Sequence, residues 1–348
     1  MIKLIDYVEK YGDISFDNKP FNDVDNLVFC SLIYLDFSNT SINENIHTLE
    51  EIANEYIKTY KTSFFKRIGI IADDVYELLK VVKDKIRYKN IILSNYEYKF
   101  SGNMQFCAMT FNISKKLKYI CFEGTDTLVS GWKEDFELSC YFPVSSHTEA
   151  INYVNKNISI FGPKVIIGGH SKGGNLALIS SMFMKWYKKN KVIKVYSNDG
   201  PGLRKKEFES KKYKRIKKKF IHIVPENSVV GMLLRTDDYY VIKTSKNNIL
   251  SHSLSYWLID DDKISKGVLS DKSIKLHDSV LYWLNIHNDY ERRIMTEMIF
   301  KIFEEAKVKD LTDLKKIKNL IKVLYNMKNM DCATKELLIN LVFNSYNN

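Results

Sequence analysis

The stretch running from Lys164 to Ala177 constrains this chain more than any other. It opens on a short β-branched run, the mark of a buried strand. It then passes through Gly169-x-Ser171-x-Gly173 and enters 175–184, which is apolar-rich, free of Pro and Gly, and predicts a helix. Strand, sharp turn and helix in that order put a serine at the tip of a strained corner. Such a corner presses neighbouring backbone together, so the positions beside it must lack a Cβ. Gly169 and Gly173 stand two residues to either side of Ser171. The following helix aims its free amides at the serine, where they favour developing negative charge.

Around that corner, strand-like runs lie at 91–100, 104–113, 117–123, 192–197, 220–224 and 239–244. The turn Ser101-Gly102-Asn103 predicts that the first two form an antiparallel hairpin. Residues 1–60 read as helical, with Leu27, Phe29, Leu32, Ile33 and Leu35 on one apolar face. Within 61–90, Val75, Leu78, Leu79 and Val82 recur at the i, i+3, i+4, i+7 spacing of a helix. A helix is expected over 149–158. From about Ser265 only helical patterns remain, through Leu281, Leu284, Ile294, Met298, the run 317–324, Leu337, Leu338 and Leu341. Strands alternating with helices predict an α/β fold with a mainly parallel central sheet flanked by helices. Residues 1–264 are expected to form the catalytic domain, its N-terminal helices included, and 265–348 a helical C-terminal extension.

With 348 residues, 45% apolar and 27% charged, the chain can bury a core without disulfide or metal staples, which excludes the disordered and disulfide-scaffold classes. No stretch reaches 18 apolar residues, so no membrane span is expected. The segment from Met1 to Tyr7 lacks a signal-peptide pattern, so a cytoplasmic protein is the expectation. Five cysteines form no CxxC, and Cys107 and Cys121 in strand-like runs read as small buried hydrophobes. No metal or organic cofactor is implied. Of the net charge of +11, most sits between Arg204 and Lys219, where ten basic residues face only Glu207 and Glu209. That segment reads as a solvated surface helix, with an anionic membrane surface as the functional alternative. No stacking series of aromatics accompanies it, so no nucleic acid is expected.

A serine hydroxyl is nearly inert at neutral pH and needs a base, an orienting acid and oxyanion donors. Four histidines follow Ser171: His222, His252, His277 and His287. His222 lies inside a strand and the last two in the helical tail. His252 follows the last strand in a loop over 247–251, where a base belongs. For the acid, Asp199 stands directly after the strand 192–197, in a turn with Gly200, Pro201 and Gly202. Glu226, after the next strand, is the alternative; Asp237 and Asp238 are weaker candidates. The oxyanion donors are expected to be the backbone amides of Lys172 and Thr125, the latter beside Gly124. The stretch 228–238 and the helical regions are candidates for a lid.

Several longer motifs carry a family likeness. The segment Phe122-Glu123-Gly124-Thr125-Asp126, with Trp132 and Asp135 behind it, resembles the oxyanion segment of class 3 lipases, and Gly169-His170-Ser171-Lys172-Gly173-Gly174 resembles their elbow. A fuller resemblance is to the bacterial Mbeg-like family, a domain of unknown function among the α/β-hydrolases. It rests on Tyr11-Gly12-Asp13, Phe21-Asn22-Asp23-Val24-Asp25, Trp132-Lys133-Glu134-Asp135-Phe136, Asp199-Gly200-Pro201-Gly202, Val224-Pro225-Glu226, the run 228–234, and His252 followed by Trp257. The likeness spans roughly residues 1–260. It implies an α/β-hydrolase fold and a serine hydrolase cleaving carboxylic esters, expected to be lipid-like, with Ser171, Asp199 and His252 as its triad. Two departures stand out: Glu123 replaces the usual arginine, and Ser228 occupies the place of the aspartate of class 3 lipases, which shifts weight to Asp199. The rival expectation is a catalytically silent binding module on the same fold.

Overall fold

In the computed structural model the described residues are 1–59, 72–101, 104–125, 129–308, 317–327 and 330–346. Helices α1 (Leu4–Tyr11) and α2 (Asp23–Leu32) open the chain, followed by β1 (His47–Thr48), α3 (Leu49–Thr59), α4 (Ala72–Val82) and α5 (Ile86–Lys89). Next come β2 (Ile92–Ser101), β3 (Met104–Ser114), β4 (Leu117–Phe122), α6 (Val129–Glu137) and α7 (Ser145–Asn157). The elbow unit is β5 (Lys164–His170) and α8 (Lys172–Phe183). It leads to β6 (Val192–Asn198), α9 (Lys205–Phe208), α10 (Lys211–Ile216), β7 (Phe220–Pro225) and β8 (Tyr240–Ile242). A small hairpin, β9 (Ile259–Asp260) and β10 (Lys263–Ile264), precedes α11 (Asp271–Ile286), α12 (Asp289–Glu305), α13 (Ile317–Asn326) and α14 (Cys332–Tyr346). No helix among the described residues is long and apolar enough to cross a membrane.

The eight strands β1–β8 lie side by side in chain order. Pairings from β1 to β4 are antiparallel, and those from β4 to β8 are parallel. Register places Phe122 opposite Gly169, His170 opposite Asn198 and Asn198 opposite Ile223. The residues that follow β4, β5, β6 and β7 therefore emerge together at one edge. This mostly parallel sheet covered by helices on both faces is an α/β-hydrolase fold.

Side chains alternate across the sheet with the period of two that a strand imposes. Cys107, Met109, Tyr119, Cys121, Ile166 and Tyr196 join the core beneath α1–α4. Their neighbours Phe106, Ala108, Ile120, Phe122, Val165, Ile167 and Val195 join the core beneath α7 and α8. Burial on both faces explains why β5 reads as an unbroken apolar run rather than an alternating one. In α2 every residue from Val24 to Leu32 is buried. Each large apolar side chain so enclosed contributes about 1.5–3 kcal/mol. The polar ones are bonded: Asn26 Nδ2 donates to Asn198 Oδ1 at 2.9 Å, Tyr119 OH donates to Asn26 Oδ1 at 2.7 Å, and Asn198 Nδ2 donates to Gly169 O at 3.1 Å. This network locks α2 to the ends of the two strands that carry the elbow and Asp199. Asp25, one residue before Asn26, pairs with the buried Arg87 and accepts from Tyr88 OH.

The helices beyond Ser265 pack on α6 and the turn after it. Lys133 pairs with Glu297, Arg292 Nε donates to Ser139 O at 3.0 Å, and Phe136 meets Phe300 edge-on. Three expectations change. The N-terminal region contains strand β1, and β9–β10 adds a hairpin; strands of two residues carry no readable periodicity. The basic segment is no single helix but α9, α10 and a 3-10 turn at Lys217–Lys219: Ser210 ends the first and caps the second, its side chain accepting from the Tyr213 amide, and α10 turns Tyr213 and Ile216 to the core. The stretch 228–238 is no free lid at its start: Ser228, Val230 and Met232 are buried, and Leu203 bridges Arg235. The turn residues Gly102 and Asn103, residues 61–71 of the expected helical stretch 61–90, Asp126 and Thr127, and the side chains of Trp132, Leu324 and Leu341 lie outside the described residues.

Candidate active site

Ser171 sits between the last residue of β5 and the first of α8, with φ 56° and ψ −133°. A non-glycine residue there is strained, at about 1–3 kcal/mol, and persists only where its surroundings over-determine it. The determinants are visible. A Cβ on Gly169 would lie 2.2 Å from the Gly173 carbonyl, and one on Gly173 2.2 Å from Phe122 O. Both approaches are closed to any larger residue. The Ser171 amide donates to Asn198 O at 2.9 Å, fixing the corner to the end of β6.

One residue on, Asp199 also has positive φ, at 48°, and is fully buried. Its Oδ2 faces His252 Nδ1 at 2.6 Å. Its Oδ1 accepts from Ser228 Oγ and, at 3.0 Å, from the Gly231 amide. The carboxylate is thus held from both oxygens. His252 closes a 3-10 turn at Ile249–His252, and its side chain keeps a fifth of its surface open. With Nδ1 facing a carboxylate, the ring proton belongs there and Nε2 keeps its lone pair.

His170, next to the serine, was given no role by the sequence. It is fully buried, and its ring lies 4.5 Å from that of His252. Its Nε2 meets the His252 carbonyl at 2.8 Å and its Nδ1 meets Tyr34 OH at 2.7 Å. A carbonyl only accepts, so Nε2 carries the proton and Nδ1 accepts from Tyr34. Burial, and then the neighbouring His252, hold the His170 pKa well below the ordinary imidazole value, which keeps this relay neutral. Tyr34 and His170 thereby bring the turn carrying His252 to the elbow. Ser171 Oγ and His252 Nε2 make no hydrogen bond with each other among the described contacts.

On the opposite side, Lys172 is the first residue of α8, where an amide has no acceptor within the helix. The amide of Thr125 enters no described backbone hydrogen bond. Gly124, before it, packs so tightly that a Cβ there would come 2.8 Å from Ser171 Cβ. The Lys172 side chain is buried, paired with Glu134 Oε2 at 2.9 Å and donating to Gln105 O at 3.1 Å. Asp135 lies behind Thr125. Burial raises its carboxyl to about 7 against the opposing pull of the Lys172 ammonium. Thr125 Oγ1 and Asp135 Oδ1 are both shut off from solvent without completing a hydrogen bond.

The other candidates lie elsewhere. Glu226 directs its carboxylate to the amides of Thr244 and Val268, and Asp237 is held by Tyr213 and Lys217. Asp238 pairs with Lys217. His222 is a buried strand residue between Thr236 Oγ1 and Gly200 O, its pKa pushed down to about 4 by burial. His277 is bonded to Met232 O, and His287 packs on Trp283. Glu134, Tyr34 and His170 escaped the sequence reading. Glu134 sits inside the motif 132–136 and Tyr34 inside the apolar run 32–35, and His170 was visible only as the residue before the serine.

The sequence model of the Mbeg1-like family matches residues 82–301, well over half the chain. No curated protein matches the sequence significantly. Among solved structures, M37 lipase shares 15% identity over 60% of this chain and 68% of its own, with a TM-score of 0.36. A fungal lipase–inhibitor complex shares 15% over 64% of this chain and 78% of its own, at 0.38. The extracellular lipase LipA from Serratia marcescens shares 14% over 62% of this chain and 42% of its own, at 0.30.

Proposed function

This chain belongs to the Mbeg1-like family, and from that premise we propose that it is a serine hydrolase cleaving carboxylic esters of lipid-like character. The observation that carries the reading is the Asp199–His252 hydrogen bond set beside a serine in left-handed backbone at a strand-to-helix corner. In this mechanism His252 Nε2 takes the Ser171 proton as Oγ attacks the ester carbonyl. Asp199 holds the imidazolium that forms, and Ser228 and Gly231 hold Asp199. The amides of Lys172 and Thr125 receive the oxyanion. His252 then returns the proton to the leaving alcohol, and water releases the acyl group from Ser171 by the same steps in reverse. Lipid-like substrates follow from the likeness of the elbow and oxyanion segments to those of class 3 lipases.

The test is labelling with a fluorophosphonate probe alongside turnover of p-nitrophenyl esters of graded chain length. Labelling at Ser171, abolished in Ser171→Ala, is the expected result. A folded wild-type protein that takes no label and turns over no ester assigns the chain to the silent-module reading instead.

A further inference from the structure

The edge of the sheet opposite Ser171 has its own character. The parallel strands start there, and the chain segments feeding them, 114–119, 155–166, 183–196 and 210–221, contain lysines and one arginine but no Asp or Glu. The strand registers bring these segments together: Leu117 lies opposite Lys164, Val165 opposite Val192, and Val195 opposite Phe220.

The lysines also brace one another's loops. Lys191 Nζ donates to Gly162 O at 2.6 Å, Lys188 Nζ to Asn155 O at 2.5 Å, and Lys219 Nζ to Val192 O at 2.7 Å. These ammonium groups are answered by backbone carbonyls rather than by carboxylates. The exceptions lie at the margins, where Lys194 meets Asp23, Lys156 meets Glu97, and Lys217 meets Asp237 and Asp238. Burial and cationic neighbours lower the pKa of Lys189 and Lys219, as expected where positive charge is concentrated. The beginning of the basic segment is not part of this field, since Arg204 is engaged by Glu207.

Out of this field project large apolar side chains. Phe161 is 92% exposed and Trp186 82%, on loops that Lys191 ties together, with Ile160, Tyr187 and Ile193 also exposed around them. Single exposed apolar residues need no explanation, but a cluster rimmed by one sign of charge marks an interaction site. Aromatic rings partition to the membrane interface, and lysines are drawn to anionic head groups. The exposed isoleucines separate this surface from one built for nucleic acid: an aliphatic side chain offers a base no stacking plane but enters the acyl boundary readily.

We propose that this edge docks on an anionic membrane surface, Phe161 and Trp186 entering the interface and the lysines of 185–191 and of 211–219 other than Lys217 meeting lipid phosphates. The proposal stands apart from the hydrolase reading. Because β5 runs seven residues from this edge to Ser171, docking holds the serine about 20 Å or more from the bilayer, on the far side of the sheet.

The full chain is tested by co-sedimentation with phosphatidylcholine vesicles, with and without phosphatidylserine, at low and high salt. Binding that requires phosphatidylserine and weakens with salt is expected. Phe161→Ala with Trp186→Ala lowers partitioning by about tenfold or more, while Lys214→Glu with Lys218→Glu abolishes the preference for phosphatidylserine. Brominated lipids quench the wild-type tryptophan emission, and Trp186→Ala removes that quenching. All these positions are exposed, and circular dichroism checks that each variant is folded. A protein that ignores anionic vesicles, binds neutral ones equally well, or leaves them for single-stranded RNA overturns the proposal.

Discussion

The two edges of the parallel strands manage charge in opposite ways. At the Ser171 edge charged groups are enclosed and matched: Asp199 accepts from three donors, and Lys172 is paired with Glu134 with almost no solvent contact. Two non-glycine residues there, Ser171 and Asp199, are held at positive φ. At the other edge ammonium groups stand in solvent or lean on carbonyls, apolar rings protrude, and no described non-glycine residue of the feeding loops has positive φ. Strain and buried charge survive only where the surroundings fix them, so the first edge should tolerate little change. The second presents its groups outward and should tolerate much.

The sharpest way to break this contrast is at the serine. Ser171→Ala should lower ester turnover by on the order of 10⁴-fold or more while leaving the fold intact, measured by initial rates and circular dichroism. Asp199→Asn should cost about 10³-fold or more, whereas Glu226→Gln should stay within about twofold of wild type; equal losses in the two would dissolve the assignment of the acid. Next comes the buried pair. Lys172→Met leaves the enclosed Glu134 without its counter-charge, with only the Ser146 amide still donating to it, and should destabilise the protein by about 3–5 kcal/mol in urea denaturation.

Asp135 gives a smaller effect with a definite pH dependence. Its folded pKa, raised by burial to about 7, stands above the ordinary 3.8. Between about pH 4 and 7 the folded state therefore holds a proton that the unfolded chain releases, and this group's contribution to stability falls as pH rises. Asp135→Asn should gain nothing near pH 4 and raise Tm by a few degrees at pH 8, read from thermal melts at both. Least of all, Phe161→Ala and Trp186→Ala should change stability by no more than about 0.5 kcal/mol. A large loss of stability there would mean that the second edge is structural after all.

Much of the Ser171 edge could be read directly. The β-branched run before Gly168, the glycine spacing and the apolar run after Asn175 are local signals, and the strand and helix they imply are β5 and α8. The helix begins three residues earlier than its apolar pattern, because Gly173 and Gly174 in its first turn look like loop. His170 was illegible for a different reason. Its partners, Tyr34 and the His252 carbonyl, lie 136 and 82 residues away, and nothing local marks either bond. The second edge was legible as composition but not as a surface. The lysine run from Arg204 to Lys219 drew attention to itself, yet its first part belongs with Glu207, and the exposed rings come from loops near 160 and 186.

By itself, the order of residues determined the alternation of strand and helix, the corner at Ser171 and the excess of positive charge, because each is a matter of neighbours a few positions apart. Only the tertiary structure decided that Asp199 rather than Glu226 meets His252, that a buried tyrosine and histidine carry that turn to the serine, and that scattered lysines and aromatic rings share one edge. Those choices depend on parallel register, which brings together residues distant in the chain and leaves no trace in the spacing of any one segment.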